Sequence, residues 1–78
     1  MEQSVEITGG MIRLGQLLKL AGAASGADAK VLIAGGQVTV NGAPELRRGR
    51  QLHPGDVVRV GAEDLRIVAA PVHIQDAD

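Results

Sequence analysis

Three arginines lie within four positions of this chain, at Arg47, Arg48 and Arg50, with Gly49 among them. The chain of 78 residues has a formal net charge of −1 and only eight basic residues, so this cluster stands out. A guanidinium group presents a planar fork of N–H donors that matches the oxygens of a phosphate. A neighbouring glycine lets the backbone come close to such a group. The segment, called here the arginine loop (residues 47–50), therefore indicates a phosphate-bearing partner, with RNA as the leading candidate.

Charge is distributed unevenly along the chain. Residues 11–60 contain seven basic and three acidic residues, or +4, whereas residues 1–10 carry −2 and residues 61–78 carry −3. The net charge of the whole chain therefore hides a basic middle segment. This segment is where we expect a negatively charged partner to bind.

The chain contains no Phe, Tyr, Trp or Cys. Proteins that bind single-stranded RNA commonly stack bases on aromatic rings, so RNA contacts here would depend on charge, backbone groups and shape. Without cysteine there is no disulfide and no thiolate metal ligand, which fits a cytoplasmic protein. No signal-type segment and no apolar run of about 20 residues is present, so we expect no membrane partner.

Apolar spacing predicts two short helices. One helical face of the first consists of Leu14, Leu17, Leu18 and Ala21. Gly22 is a plausible stop for that helix. The pair Ser25 and Asp28 has the spacing of a capping box, which predicts the start of a second helix that ends at residues 35–36.

Alternation of apolar and polar residues predicts strands at residues 5–8, 38–40, 43–46, 57–60 and 65–68. Asn41-Gly42 predicts a tight hairpin, because a type I′ turn requires positive φ at both central residues. Pro44 makes the third strand short or places it at a sheet edge. Residues 47–51 are predicted to be loop, and the side chain of Leu52 is predicted to point inward. The predicted core consists of Leu17, Leu18, Ala21, Leu32, Ile33, Val38, Val40, Val58, Val60 and Ile67.

Three segments in this order resemble the S-four-like RNA-binding domain, also called the alpha-L RNA-binding motif. They are LGQLLKLAG (residues 14–22), AKVLIAGGQVTVNG (residues 29–42) and RRGRQLHPGDVVRV (residues 47–60). Within that family the chain looks most like the short stand-alone bacterial proteins of the YbcJ-like group. The resemblance implies an α+β fold, with two short helices in an L packed on a small, mainly antiparallel sheet of four to five short strands. It also implies binding to structured RNA, such as ribosomal or transfer RNA, and an association with the ribosome.

The resemblance places RNA contacts on the helix pair and the adjoining loops. The corresponding positions are Gln16, Lys19, Lys30, Arg47, Arg48 and Arg50, and Gly49 is added because it lets the backbone approach phosphate. Many members of the family carry a basic side chain in a Ser-Arg-Ser-like pattern at the start of the second helix. This chain has Ser-Gly-Ala-Asp at residues 25–28, which puts more weight on the arginine loop.

Other interpretations of the same residues stay open. The three arginines could form an ordinary solvated loop, Lys19 and Lys30 could only aid solubility, and Glu45 and Asp56 by default form salt bridges with the arginines. If the loop instead binds RNA, replacing Arg47, Arg48 and Arg50 by alanine is expected to weaken RNA binding and to leave the thermal midpoint nearly unchanged.

No arrangement of residues typical of an enzyme is present. Ser4 and Ser25 lack a His–Asp partner set, and His53 and His73 are too few for a metal site. We therefore expect a non-enzymatic, monomeric RNA-binding protein without cofactor or metal, with one domain over residues 1–70 and a flexible acidic tail over residues 71–78. The alternative is a protein-interaction module that docks an acidic partner through the arginine loop.

Overall fold

The computed structural model describes residues 2–23 and 26–70. This part of the chain forms two helices and seven strands. In chain order they are β1 (Glu2–Ile7), β2 (Ile12–Arg13), α1 (Leu14–Leu20), α2 (Gly26–Ala34), β3 (Val38–Val40), β4 (Ala43–Pro44), β5 (Gln51–Leu52), β6 (Val57–Val60) and β7 (Glu63–Ala69). No helix among the described residues has the length and apolar character needed to cross a membrane.

Five strands form the main sheet in the order β1-β7-β6-β3-β4, and β2 pairs with β5 in a separate two-stranded ladder. Every neighbouring pair is antiparallel except β1 and β7, which run parallel. The predicted α+β class with a mainly antiparallel sheet is therefore confirmed.

The predicted hairpin between β3 and β4 is also confirmed. Asn41 and Gly42 have φ values of 53° and 89°, as a type I′ turn requires. The Asn41 amide has a second function, because its oxygen accepts the N–H of Val57 at 2.9 Å and its nitrogen donates to Asp56 at 3.1 Å. Asn41 thus ties the hairpin turn to the start of β6, which gives a physical reason for the joint presence of the VNG and PGDVV segments.

The core lies between the helices and the sheet and is entirely aliphatic. Its buried members are Val5, Ile7, Leu14, Leu17, Leu18, Ala29, Ile33, Val38, Val40, Leu52, Val58, Leu65 and Ile67. Seven of the ten predicted core residues are among them, including Leu17 and Ile67, and Ala21, Leu32 and Val60 pack against the core while partly buried. Leu52 points inward as predicted and is fully buried.

Several element bounds differ from the predictions. Residue 51 was predicted to be loop, but it begins β5, which pairs with β2 and draws the arginine loop towards α1. The third predicted strand is reduced to β4, which lies at the edge of the main sheet, as expected for a strand that contains Pro44. Strands β1 and β7 are longer than expected because all six residues of β1 pair with residues 64–69 of β7. Ser25 and residues 71–78 lie outside the described residues, and the division into residues 1–70 and 71–78 stays a prediction.

Candidate functional site

The arginine loop is docked on the first turn of α1 through the backbone. The N–H of Gly15 donates to the carbonyl oxygen of Arg48 at 3.0 Å, and the N–H of Leu14 donates to that of Arg50 at 2.9 Å. The first N–H groups of a helix have no partner within the helix, so these two carbonyls satisfy groups that would otherwise be unpaired. The position of the loop is therefore fixed by the start of α1.

Gly15 permits a close approach between α1 and the side chain of Arg48. A Cβ atom at Gly15 would lie 2.7 Å from Cγ and 3.1 Å from Cδ of Arg48, which is too close for a real contact. The φ of Gly15 is not in the left-handed region, so the glycine is required by packing rather than by backbone conformation. The aliphatic stem of Arg48 consequently lies directly across the helix.

A cleft of about 410 Å³ lies at this junction and is called here the basic cleft. It is lined by Arg13, Gly15, Gln16, Lys19, Ala29, Arg48 and Gly49. Among the residues that the structure describes, no carboxylate forms a salt bridge with Arg13, Lys19 or Arg48. The basic cleft thus holds three cationic side chains, none of which is in a salt bridge with a described carboxylate.

Glu45 lies on the other side of the loop and is buried, with 6% of its surface exposed. One carboxylate oxygen accepts both the backbone N–H and Nε of Arg47, each at 3.1 Å, and the other accepts Nη1 of Arg50. Arg47 is nevertheless 77% exposed in its side chain. Two of the three loop arginines are therefore paired with a single carboxylate.

These bonds control the ionisation of Glu45. The Arg50 side chain, the Arg47 N–H and then the Arg47 side chain lower the pKa of Glu45 to about 2, although burial acts in the opposite direction. The carboxylate consequently stays charged throughout the physiological range. The expected salt bridge between Glu45 and the loop is confirmed.

Asp56 does not pair with an arginine as expected. Its carboxylate accepts the backbone N–H of His53 at 2.8 Å and the Asn41 amide at 3.1 Å. Burial acts to raise the pKa of Asp56, but these two bonds and the positive charges of His53 and Arg50 together lower it below its ordinary value. Asp56 therefore stabilises the turn before β6.

Six of the seven predicted site residues line two concave surfaces beside the arginine loop. Four of them, Gln16, Lys19, Arg48 and Gly49, line the basic cleft. A second concavity of about 580 Å³ is lined by Arg47, Gly49, Arg50, Gln51 and His53. Lys30 is exposed on α2 and lines neither of the two concavities.

Arg13 lines the basic cleft but was not among the site residues predicted from the sequence. It lies at the N-terminal boundary of α1, where its backbone N–H donates to Oε1 of Gln16 at 3.3 Å. The sequence feature that could have indicated Arg13 is its position just before the first residue of the apolar helical face. Gln16 thus has a structural function at the helix start in addition to its place in the cleft.

The turn of the arginine loop does not require glycine at residue 49, because the φ of Gly49 is outside the left-handed region and a Cβ there would lie 3.8 Å from Nη1 of Arg13. Replacing all three arginines is now expected to destabilise the fold, because it would leave Glu45 buried without its cationic partners.

Within residues 2–23 and 26–70 no group of three or more metal-ligating side chains could hold a metal ion, and His73 lies outside these ranges.

Comparisons with known proteins agree on one family. Residues 5–68 match the family model described as the S4 domain, a segment that contains both helices and the arginine loop. The chain is similar to the Bacillus subtilis (strain 168) protein named "Probable ribosome maturation protein RlbA", with 46% identity over 61 residues that cover 77% of this chain and 86% of that protein. It is also similar to the Escherichia coli (strain K12) protein named "Putative RNA-binding protein YbcJ", with 42% identity over 59 residues, or 74% of this chain and 84% of that protein. The resemblance that the sequence patterns indicate is confirmed.

The Glu45 ion pairs predict a specific response to acid. Since the pKa of Glu45 in the folded chain is about 2 against an ordinary 4.5, its contribution to stability is fully present above about pH 4.5 and is lost as the pH falls towards 2. Glu45→Gln should therefore have a lower thermal midpoint at pH 7 and a smaller further loss between pH 5 and pH 2 than the unmodified chain. Thermal unfolding followed by circular dichroism across this range measures both.

The matched control is Glu63→Gln, which removes one carboxylate from an exposed position on β7. This variant should retain the pH dependence of the unmodified chain. Parallel curves for Glu45→Gln and the unmodified chain would show that Glu45 does not supply the acid sensitivity.

Proposed function

Because the chain belongs to the S4 domain family, we propose that it is a non-enzymatic RNA-binding protein that recognises structured RNA through its phosphate backbone and shape. The observation that carries this proposal is the basic cleft, which Arg13, Lys19 and Arg48 line together without a salt bridge to a carboxylate among the described residues. Phosphates bound by such side chains release condensed counterions, which supplies affinity without base-specific contacts.

The absence of aromatic residues favours structured over single-stranded RNA as the ligand. The chain has no ring on which an unpaired base could stack, whereas double-stranded RNA is recognised mainly by shape and by phosphate and 2′-hydroxyl contacts. The backbone-anchored loop beside α1 supports the same proposal, because rigidly placed cations suit a fixed spacing of phosphates.

The names of the relatives direct the proposal towards the ribosome. One is named as a probable ribosome maturation protein and the other as a putative RNA-binding protein. We propose ribosomal RNA or a ribosomal precursor as the partner, with transfer RNA as the second candidate, and a monomer acting in the cytoplasm. Docking of an acidic protein has weaker support, since Glu45 already pairs with two of the three arginines on which that alternative depended.

Salt dependence tests the basic cleft directly. Three phosphate contacts predict that log K against log salt falls with a slope of roughly −2 to −3, at about 0.7 to 0.9 per contact. Arg48→Ala should weaken binding to a folded ribosomal RNA fragment and reduce the slope by about 0.8. Fluorescence anisotropy over a series of salt concentrations gives both quantities.

The matched control is Arg66→Ala, which removes an arginine from β7 that pairs with Glu2 at 2.6 Å, away from the cleft. It should leave the slope nearly unchanged. Equal effects of the two substitutions would mean that only net charge matters, and a flat salt response of the unmodified chain would overturn the proposal. Co-purification of a protein partner that survives ribonuclease would favour the acidic-partner alternative.

Gly15 provides a second test, which leaves every charge in place. The preference of about 1 kcal/mol for alanine over glycine within a helix opposes the cost of the close contact with Arg48, so RNA affinity is compared at a temperature where thermal unfolding shows Gly15→Ala folded. The new methyl group would nevertheless displace the Arg48 stem, which lies 2.7 Å from the position it would occupy. We expect RNA affinity to fall by about tenfold, the loss of one charge-assisted contact.

Gly35→Ala is the corresponding control, because it adds a methyl group just after α2, outside the lining of the basic cleft, where the nearest atom would be the carbonyl oxygen of Val31 at 3.2 Å. It should bind RNA nearly as well as the unmodified chain. If Gly15→Ala binds RNA normally, the placement of Arg48 across α1 does not matter for binding.

A further inference from the structure

We infer that Glu45 is a positioning residue for RNA binding, which fixes the arginine loop so that Arg48, rather than Arg47 or Arg50, is presented to phosphate. The inference rests on the proposed function and assigns a role to a side chain that faces away from the basic cleft. Glu45 is absent from the lining of both concavities beside the loop.

Glu45 is anchored to the sheet and holds the loop at both ends. Its backbone N–H donates to the carbonyl oxygen of Val38 at 3.0 Å, which fastens the residue to β3. Its carboxylate accepts the N–H and Nε of Arg47 at one end of the loop and Nη1 of Arg50 at the other. Charge-assisted bonds of this kind are stronger than neutral ones, particularly when the carboxylate is shielded from water.

The opposite side of the same loop is held by α1. The carbonyl oxygens of Arg48 and Arg50 accept the N–H groups of Gly15 and Leu14. Arg50 therefore joins the two attachments, since its side chain binds Glu45 while its backbone binds the helix. Arg48 lies between the two attachments, and among the described residues it is the one loop arginine without a carboxylate partner.

This arrangement divides the charge of the loop. Glu45, Arg47 and Arg50 together carry +1, whereas Arg13, Lys19 and Arg48 in the basic cleft carry +3. Glu45 thus lowers the attraction of the Arg47 and Arg50 surface for phosphate and leaves the basic cleft as the stronger site. Electrostatic complementarity of this kind determines register and specificity more than raw affinity.

A double-mutant cycle with Glu45→Gln and Arg48→Ala tests the inference. Glutamine keeps the shape of the side chain but lacks the charge that holds two guanidinium groups. At pH 7, and at a temperature where thermal unfolding shows every variant folded, Glu45→Gln should weaken binding to a folded ribosomal RNA fragment by about five- to tenfold. In the Arg48→Ala background Glu45→Gln should change affinity by less than about twofold, because Glu45 affects affinity by positioning Arg48.

Two further variants make the readout specific. Glu63→Gln removes one negative charge at an exposed position and should leave affinity unchanged or slightly higher. Arg50→Lys keeps the charge of the loop but cannot reproduce the guanidinium geometry. Arg50→Lys should weaken RNA binding when Arg48 is present but not in the Arg48→Ala background. It replaces Glu45→Gln in the cycle if Glu45→Gln does not fold.

Tighter binding by Glu45→Gln with a steeper salt slope would overturn the inference, since Glu45 would then act only as a competitor for the arginines. An equal loss in both backgrounds would overturn it as well, because the effect would be one of general stability. The proposed function fails separately, if the unmodified chain shows no salt-dependent binding to RNA, and the inference would fall with it.

Discussion

The first turn of α1 has N–H groups that need acceptors, and the arginine loop supplies them. In many helices a Ser, Thr, Asp or Asn side chain at the N-terminal boundary accepts such a group, but here that position is Arg13, whose side chain can only donate. The carbonyl oxygens of Arg48 and Arg50 bond to Gly15 and Leu14 instead. One local requirement of the helix therefore brings a segment more than thirty residues away into contact with it, and the composition of the cleft follows from that contact.

A second constraint is the burial of Glu45. A charge removed from water has to be paired and hydrogen-bonded, and the carboxylate of Glu45 meets this requirement entirely through Arg47 and Arg50. The arginine loop thus has two functions, and the sequence alone does not show which arginine has which function. Two of its members stabilise the loop, while Arg48 faces the basic cleft beside Lys19.

The sequence predicted those features that follow from short-range patterns. The Asn41-Gly42 turn and the apolar face of α1 were predicted correctly, because positive φ and helical spacing are local properties. The ladder between β2 and β5 was not predicted, since strands of two residues have no detectable period. The length of β1 also escaped prediction, because its parallel pairing with β7 joins the two ends of the described chain.

The candidate site was predictable only in part, because its composition also depends on contacts between distant parts of the chain. A cluster of arginines is visible in the sequence, but its division between Glu45 and the cleft depends on contacts made in the folded chain. The requirement for Gly15 arises from the stem of Arg48, and the place of Arg13 arises from the docking of the loop. A charged residue that follows Pro44 gives no sign in the sequence that it will be buried.

The proposed RNA-binding surface is the junction between the arginine loop and α1. It is tested most directly by titrating the ¹⁵N-labelled protein with a folded ribosomal RNA fragment and following the backbone amide signals by NMR. We expect the largest shifts in residues 13–19 and 47–51, with little change along β6 and β7. Shifts that are largest at β1 and β7, or that are spread evenly over the chain, would contradict it.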